Sequence, residues 1–537
     1  MKPVLMTLTI FFLYAVSSYG LGFSNQPSTD FSADAKIRLE VAGTYASGVF
    51  DEGAAEISAY DAATKRLFIT NADANTLDVV SIKNVNFPAL DFTIDLSPYG
   101  DGVNSVAAKN GIVVVAVEAK PKQDPGVVVF FDADGQHLNT LTVGSLPDML
   151  TFTPDGEKIL VANEGEPDDD YTNDPEGTVS IIDLSSGVAN LTDADVSAAG
   201  FSAFNGQEND LEPIRIFGPG ASVAQDLEPE YIAVSSDSST AWVTLQENNA
   251  IAVIDINAAA VTALVPLGTK DFNVIQNAID ASNRDGQINI RTWPVVGMYQ
   301  PDSIAAYEVD GRTYLLIANE GDARDYDGYS EEARVEDAGS DFDVDPAAYP
   351  NIDKLKDEAA LGRLNITTAT GDFDGDGDID LLHAYGGRSF SILNAAGEMI
   401  YDSGSDFERI VALVNPENFN STNDENDSFD NRSDDKGPEP EGLTVGLVDG
   451  RHYAFIGFER VGGIVVYDIS NPVAPQFLQY INNRDFSGDA ANGTAGDLGP
   501  EGLLFISPDE SPIKQPLLIV TNEVSGTTTI YRIRAEK

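Results

Sequence analysis

Five aspartates alternate with glycine and apolar residues in the run Asp372-Phe-Asp-Gly-Asp-Gly-Asp-Ile-Asp380, which carries the most specific chemistry in the sequence. Oxygen donors at alternate positions, with glycines that let the chain wrap tightly, are what a calcium loop requires. The run lacks the bidentate glutamate of a full EF-hand, and a solvated acidic hairpin is the alternative. We expect Ca²⁺ to be bound by Asp372, Asp374, Asp376, Asp378 and Asp380.

A second, weaker candidate calcium loop is Asp280-Ala-Ser282-Asn-Arg-Asp285-Gly. Other chemistries find little support. The three histidines stand at no zinc spacing, and the chain has no cysteine, so thiolate sites and disulfides are excluded. No nucleophile elbow, phosphate loop or dinucleotide fingerprint is present.

Three arginines, Arg324, Arg388 and Arg460, fall in the same class of turn on successive repeats. The chain has 31 basic residues against 87 acidic ones, so three arginines in one sector are notable. Planar guanidinium groups could clamp a phosphate or a carboxylate. They could equally be counter-ions for neighbouring acids, and both interpretations stay open.

The elements that position these residues are repeats of short β-strands. In residues 227–256, three β-branched or aromatic segments are separated by Ser, Asn and Asp clusters, the pattern of antiparallel strands. Eight variants of this unit occur, and the first three begin at Glu56, Asn104 and Asp148, a spacing typical of propeller blades. Residues 364–401 form the divergent sixth unit. A lone strand at Lys36–Tyr45 could complete the last repeat.

We therefore predict an all-β chain that forms a single β-propeller over residues 36–535, with eight blades favoured over seven. A β-sandwich or a β-solenoid is the alternative. Acidic, Asn- and Gly-rich insertions at 184–226, 268–300, 323–362 and 404–437 should be surface loops. The aspartate run should lie between the first and second strands of a blade and act as a structural staple.

Acidic residues recur at two places in the repeat, the turn before the first strand and the turn between the second and third strands. In a propeller blade both turns lie on one face, which we call the acidic face. Each position could cap its turn through backbone hydrogen bonds, but together the residues predict a ring of carboxylates around the central channel. The set comprises Glu56, Asp148, Glu230, Asp302, Glu441 and Glu501 before first strands, and Glu118, Glu164, Glu247, Glu320, Glu459 and Glu523 after second strands.

The net charge of −56 disfavours binding to nucleic acid or to anionic membranes, because both would repel such a surface. Residues 1–20 read as a secretory signal peptide, followed by a polar lead at 21–35. No other apolar run has spanning length. We expect a secreted or periplasmic protein, a monomer, released rather than tethered because the sequence ends just after its last strand.

Several segments resemble the choice-of-anchor I family. They are Asp226-Leu-Glu-Pro-Glu-Tyr-Ile-Ala-Val-Ser235, Trp293-Pro-Val-Val-Gly-Met-Tyr-Gln-Pro-Asp302, Ile317-Ala-Asn-Glu-Gly-Asp322, Gly386-Gly-Arg-Ser-Phe-Ser-Ile392 and Gly437-Pro-Glu-Pro-Glu-Gly-Leu443. The resemblance spans roughly residues 40–535 and implies a secreted or surface-displayed propeller. Some relatives are labelled alkaline phosphatase, and the Glu-Pro-Glu-Gly turns are similar to those of phytase-like esterase propellers.

Two functions follow as expectations. The first is a calcium-stabilised module that binds an extracellular ligand or partner at the acidic face. The second is a calcium-dependent phosphoester hydrolase, in which Ca²⁺ activates water and the three arginines hold the phosphate. No nucleophile is evident, so whether the chain is an enzyme stays undecided; candidate catalytic residues are Arg324, Arg388, Arg460, Glu230, Glu320, Glu441, Glu459 and Glu501.

Overall fold

The computed structural model of the protein describes residues 29–31 and 36–536. The predicted signal peptide lies outside the described residues, as does most of the polar lead. Among the described residues, no helix is both long and apolar enough to cross a membrane.

Seven antiparallel sheets, each a meander of four strands, follow one another along the chain and are numbered here as blades. Blades 1 to 4 comprise Ser58–Asp61, Arg66–Asn71, Thr76–Ser81 and Ala89–Asp95; Gly102–Lys109, Ile112–Glu118, Pro125–Asp132 and His137–Ser145; Pro147–Phe152, Lys158–Asn163, Thr178–Asp183 and Val196–Gly200; and Ile232–Val234, Thr240–Leu245, Ala250–Asp255 and Ala260–Pro266. Blades 5 to 7 comprise Ile304–Val309, Arg312–Asn319, Ser389–Asn394 and Met399–Asp402; Pro440–Val448, Arg451–Phe458, Ile464–Asp468 and Gln476–Ile481; and Pro500–Ile506, Leu517–Asn522, Thr527–Ala535 and Ile37–Ala46. The predicted all-β propeller is confirmed.

The N-terminal strand is the outer strand of blade 7. Ile37–Ala46 runs antiparallel to Thr527–Ala535, with Ile37 opposite Ala535. Blade 7 also packs on blade 1, since Leu67 and Ile519 belong to one buried cluster. The short strand Thr29–Phe31 pairs with the outer edge of blade 6.

Inner strands are apolar because blades pack face to face. In blade 2, all five residues from Val113 to Val117 are fully buried, so both faces of this strand are covered. Outer strands instead mix exposed and buried positions, as in Ala89–Asp95. This gradient explains why the middle strands were the clearest signals in the sequence.

The predicted sixth repeat is not an eighth blade. Ser389–Asn394 pairs with Arg312–Asn319 and supplies the third strand of blade 5. The segments at 365–367 and 383–384 lie elsewhere, in an additional sheet. An insertion of nearly seventy residues, 320–388, separates the two central strands of blade 5. The insertion contains short apolar strands that resemble those of a propeller repeat, and this is why the sequence predicts a separate repeat at residues 364–401.

The longest insertions pack together instead of forming open loops, and we call residues 268–300, 320–388 and 403–439 the cap. The cap leaves the propeller through turns before first strands or after second strands, so it covers the acidic face. Its sheet comprises Thr269–Asp271, Val296–Met298, His383–Ala384, Asn365–Thr367 and Glu332–Arg334, with a separate hairpin of Asp325–Tyr326 and Tyr329–Ser330. Phe272, Trp293 and Leu364 share a buried core of its own.

Helices are few and short within residues 36–536, as expected for an all-β fold. The α-helices are Val223–Asp226, Ile352–Leu355 and Asp406–Val414. The 3₁₀ helices are Val188–Asn190, Asp193–Asp195, Ser202–Phe204, Glu208–Asp210, Ile275–Asn277, Val335–Asp337 and Pro416–Asn418.

Candidate functional site

A cavity of about 190 Å³ opens at the centre of the acidic face, and residues from all seven blades line it. Its acidic lining comprises Asp148, Glu164, Glu166, Glu230, Glu247, Asp302, Asp322 and Glu501. Most of these belong to the ring expected from turn geometry. The repeat positions thus bring acids from distant parts of the chain into one chamber.

The backbone of each blade fixes these side chains. Glu230 precedes the first strand of blade 4, and its N–H donates to the Thr244 carbonyl at 3.1 Å. Glu247 follows the second strand of the same blade, which ends at Leu245. Adjacent strands run in opposite directions, so these two acids meet at one end of the blade.

Burial sets the protonation of the cavity. Desolvation, followed by repulsion from neighbouring carboxylates, raises the pKa of Glu247 to about 8 and that of Asp148 to about 7. The same causes raise the pKa values of Glu164, Glu230 and Asp302 well above the usual range. The cavity therefore holds carboxyl groups that resist ionisation at neutral pH unless a cation is bound beside them.

Two carboxyl oxygens of the cavity have no hydrogen-bond partner. Oε2 of Glu230 and Oε2 of Glu247 are both buried and unpaired, and both residues line the cavity. Buried polar atoms are nearly always hydrogen-bonded. These two oxygens therefore point to a ligand that donates hydrogen bonds or carries positive charge.

A neighbouring part of the acidic face is neutralised by the cap. Lys436 Nζ lies 2.7 Å from Glu320 Oε1 and 3.3 Å from Glu439 Oε2. Arg460 contacts Glu439 at 3.0 Å and Glu459 at 2.9 Å. Lys436 and the nearby arginines hold the pKa of the Glu439 carboxyl well below its usual range despite its burial.

Glu320, Glu439 and Glu459 each place an oxygen close enough to share a metal ion. Their charges are already balanced by Lys436, Arg460 and Arg432, the last of which reaches Glu439 at 2.7 Å. We therefore interpret this group as an internal ion network. Lys436, Glu439 and Arg432 were not among the residues predicted from the sequence. The position of Lys436 immediately before Gly-Pro-Glu was the available indication of a counter-ion at this turn.

The remaining candidates lie at other positions of the acidic face. Burial and the Glu459 charge raise the pKa of Glu441, and burial with Glu523 raises that of Glu501. Glu523 instead borders a separate cavity of about 290 Å³ that Arg460 also lines. Burial, followed by repulsion from Glu523, raises the pKa of Glu56 to about 8, and burial also raises the pKa of Glu118.

The three arginines do not converge. Arg324 is 1% exposed and donates from Nη1 to Asp226 Oδ1 at 2.6 Å, with Phe217 beneath its guanidinium group. Arg388 is 2% exposed and donates from Nη1 to Glu408 Oε1 at 2.7 Å. Arg460 belongs to the network described above. The partners of the three side chains have no residue in common, so the arrangement is that of separate ion pairs.

The aspartate run lies in the cap, not between the first and second strands of a blade as the sequence suggested. It connects the strands Asn365–Thr367 and His383–Ala384 within the insertion of blade 5. This insertion leaves the propeller from the acidic face, whereas a turn between first and second strands lies on the opposite face, so the expected position is wrong. The reason is the assignment of residues 364–401 to a blade of their own.

The geometry of the run nevertheless suits a cation. Asp372, Asp374 and Asp376 each place a carboxylate oxygen within 4.8 Å of the others, and all three are exposed. Asp372 Oδ1 accepts from the Gly375 N–H at 2.7 Å, and its Oδ2 accepts from the Gly377 N–H at 3.0 Å. Both glycines have positive φ, 78° and 98°, which permits the tight wrap. Asp378 and Asp380 continue the loop, and Asp380 Oδ2 accepts from the Phe373 N–H at 2.8 Å.

The fold and the cavity define this protein as a β-propeller with an acidic central chamber. The chain belongs to the choice-of-anchor I family, whose domain is matched over residues 56–472. The resemblance noted in the sequence is thereby confirmed.

Two characterised relatives are similar over part of the chain. Gigasin-3a of Magallana gigas is 37% identical over 194 residues, which cover 34% of this chain and 68% of gigasin-3a. The mesenchyme-specific cell surface glycoprotein of Strongylocentrotus purpuratus is 28% identical over 277 residues, which cover 46% of this chain and 35% of that protein.

Two solved structures have a similar shape. Hydrazine synthase of Kuenenia stuttgartiensis has a TM-score of 0.46 at 12% identity, with 92% of this chain and 100% of that chain covered. Streptogramin B lyase has a TM-score of 0.47 at 11% identity, with 94% and 100% covered. Likeness at this level does not bear on function.

Proposed function

We propose that this chain is an extracellular binding module whose central acidic cavity takes a positively charged group of a ligand or partner. The observation that carries the proposal is the pair of unpaired buried oxygens, on Glu230 and Glu247, inside a cavity to which all seven blades contribute. A ligand group that donates hydrogen bonds and carries charge would satisfy both.

The spacing of the acids indicates the kind of cation. Within residues 36–536, no three carboxyl groups of the cavity bring oxygens within 4.8 Å of one another. A bare metal ion needs several ligands at 2.3–2.6 Å in the case of Ca²⁺. An ammonium or guanidinium group, which is larger and donates in several directions, fits a wider ring. We therefore infer an amine or guanidine group as the ligand.

Extracellular placement is part of the same proposal. It is supported by membership of the choice-of-anchor I family and by the name of the S. purpuratus relative, a cell surface glycoprotein. Calcium bound at the aspartate run would order that exposed loop of the cap locally. Nothing in the acidic surface suits nucleic acid.

The hydrolase remains the second candidate, and the arginines weigh against it. Arg324 and Arg388 are buried in ion pairs of their own, so neither is free to hold a phosphate. Arg460 is the more exposed of the three, with 27% of its side chain accessible beside the 290 Å³ cavity. A phosphoester substrate would thus have to be held mainly by one arginine.

The test is calorimetric titration of the chelator-treated chain with spermidine, a small polyamine. We expect saturable binding that Glu230→Gln weakens at least about tenfold, because the substitution removes one charge with little change in volume. Asp353→Asn makes the matching change at an exposed residue and should bind spermidine like the parent. Absence of binding, or equal binding by Glu230→Gln, would overturn the proposal, and competition by Ca²⁺ would show whether metal ions share the cavity.

A further inference from the structure

Unpaired oxygens also occur in the cap, away from the central cavity. Oδ2 of Asp430 and Oδ1 of Asn420 are buried and have no hydrogen-bond partner. Asp430 is 1% exposed and Asn420 is 0% exposed. Leaving such atoms unpaired costs about 1–3 kcal/mol each, so two together call for an explanation.

The two side chains meet at one hydroxyl. Ser433 Oγ donates to Asp430 Oδ1 at 2.6 Å and accepts from Asn420 Nδ2 at 2.9 Å. Asp430 and Asn420 thus each form a hydrogen bond with Ser433, and each keeps one oxygen without a partner. The backbone supports this arrangement, since the Asp430 N–H donates to the Phe419 carbonyl at 2.7 Å.

A third unpaired oxygen comes from a segment about 140 residues earlier in the chain. Oδ1 of Asn283 is buried without a partner, while its Nδ2 reaches the Asn431 carbonyl at 3.4 Å. Asp280, which begins the same segment, is 1% exposed. The segments 280–289 and 420–433 are therefore in contact, and both have unpaired side-chain oxygens.

Positive charge is in short supply at this junction. Arg388 donates to the Asp280 carbonyl, but its charge is matched by Glu408. Its Nη2 donates to the Ser433 and Asp435 carbonyls, so the unpaired oxygens of Asp430 and Asn420 receive none of these hydrogen bonds.

We propose that Asp280, Asn283, Asn420 and Asp430 form a buried calcium site that joins the two segments of the cap. All the donors are oxygens of carboxylate or amide groups, the ligands that Ca²⁺ prefers. Mg²⁺ fits less well, because it demands near-octahedral geometry and keeps several waters. The site is separate from the central cavity, and it would fix the cap by cross-linking segments distant in sequence.

The weak calcium signal at Asp280–Asp285 thus supplies half of this site. Asp285 accepts from the Gln287 N–H at 3.0 Å and from Asn289 Nδ2 at 2.9 Å, and Asp280 Oδ1 likewise accepts from the Ser282 N–H at 3.3 Å, so local hydrogen bonds hold both carboxylates in place. The other half comes from Asn420 and Asp430, which no spacing rule connects to Asp280.

Trp293 gives the site its own reporter. Its indole Nε1 donates to the carbonyl of Ile279, the residue before Asp280, at 3.2 Å. Tb³⁺ replaces Ca²⁺ at oxygen sites and emits when a nearby indole transfers energy to it. Titration of the chelator-treated full chain with Tb³⁺, excited through tryptophan, should give emission that Ca²⁺ displaces.

Asp430→Asn should weaken this Tb³⁺ signal at least about tenfold, since replacing groups that support a metal already costs 10–100-fold. Asp374→Asn, in the exposed aspartate run, and Glu230→Gln, in the central cavity, should leave it unchanged. Unchanged affinity in Asp430→Asn, or loss of the signal in Asp374→Asn alone, would overturn the proposal.

The variant Asn420→Asp distinguishes loss of a calcium site from general misfolding. A carboxylate at this position keeps the oxygen ligand but cannot donate to Ser433. With a calcium site, this variant should melt below the parent in chelator and recover most of the difference in Ca²⁺. If its melting temperature is equally low with and without Ca²⁺, Asn420 serves only the hydrogen-bond network and the site is wrong.

Discussion

Arg388 and Glu408 form a fully buried ion pair, with Nη1 2.7 Å from Oε1 and less than 3% of either residue exposed. Arg388 immediately precedes the third strand of blade 5, and Glu408 lies on the helix Asp406–Val414 of the cap. The same guanidinium group donates to the carbonyls of Asp280, Ser433 and Asp435. One side chain at the edge of blade 5 thus holds the other two segments of the cap, 268–300 and 403–439.

Arg388→Ala should therefore destabilise the protein by about 3–5 kcal/mol, because it leaves a buried carboxylate without its counter-ion. Denaturant unfolding followed by tryptophan fluorescence measures the loss. Arg312→Ala removes an exposed arginine of the same blade and should change stability by less than about 0.5 kcal/mol. Equal stability of the two variants would contradict the assigned role of Arg388.

Stability should fall as the pH rises from about 5 to about 8 in the presence of chelator. Glu56, Asp148 and Glu247 have pKa values near 7–8 when folded, whereas free carboxyl groups titrate near 4. Between these limits the folded chain holds more protons than the unfolded chain, so the free energy of unfolding decreases with pH. Glu439 acts in the opposite sense, but its window lies below pH 4.5.

Melting temperatures measured across this pH range check the prediction. Glu247→Gln should flatten the slope, because the amide does not titrate, and Asp353→Asn should keep it. A melting temperature that rises steadily from pH 5 to pH 8 would mean that the cavity carboxyl groups are already ionised in the folded protein.

Calcium binding at the aspartate run should be local. Asp374→Asn should remove one class of Ca²⁺ sites in a calorimetric titration, while global stability changes by no more than about 0.5 kcal/mol, since the loop is exposed. If the variant binds as many calcium ions as the parent, the run is a solvated acidic loop.

Phosphoester hydrolysis should be absent from protein shown by circular dichroism to be folded. Chromogenic phosphomonoesters and phosphodiesters, each assayed with Ca²⁺ and with chelator, provide the measurement. The buried guanidinium groups of Arg324 and Arg388 are each already paired with a carboxylate. Calcium-dependent turnover that disappears in Arg460→Ala would instead establish the hydrolase and locate it at the 290 Å³ cavity.

Local patterns predicted the strands well where repeats are uninterrupted. The three strands expected within residues 227–256 are Ile232–Val234, Thr240–Leu245 and Ala250–Asp255, and the lone strand expected at Lys36–Tyr45 is Ile37–Ala46. Prediction failed at Ser389–Asn394, since its partner lies beyond a long insertion that contains strands of its own. Sequence periodicity carries no information about which strand pairs across such a gap.

The candidate site divides in the same way. Turn position alone predicted that Glu230 and Glu247 would lie together at the acidic face, where the structure brings them. It could not predict that the cap would deliver Lys436 to Glu320 or enclose Arg388, because these contacts depend on the folding of acidic, low-complexity insertions. The burial of Asp430 could not be predicted for the same reason.

The pairing of Ile37–Ala46 with Thr527–Ala535 also determines how late in synthesis blade 7 can form. At about 5–20 residues per second, the first of these strands waits on the order of a minute for the second to be synthesised. Throughout that time the outer strand of blade 7 has no partner, because the other three strands of this blade, between Pro500 and Ala535, have not yet been synthesised. Blade 7 therefore cannot form before residues 500–535 are available.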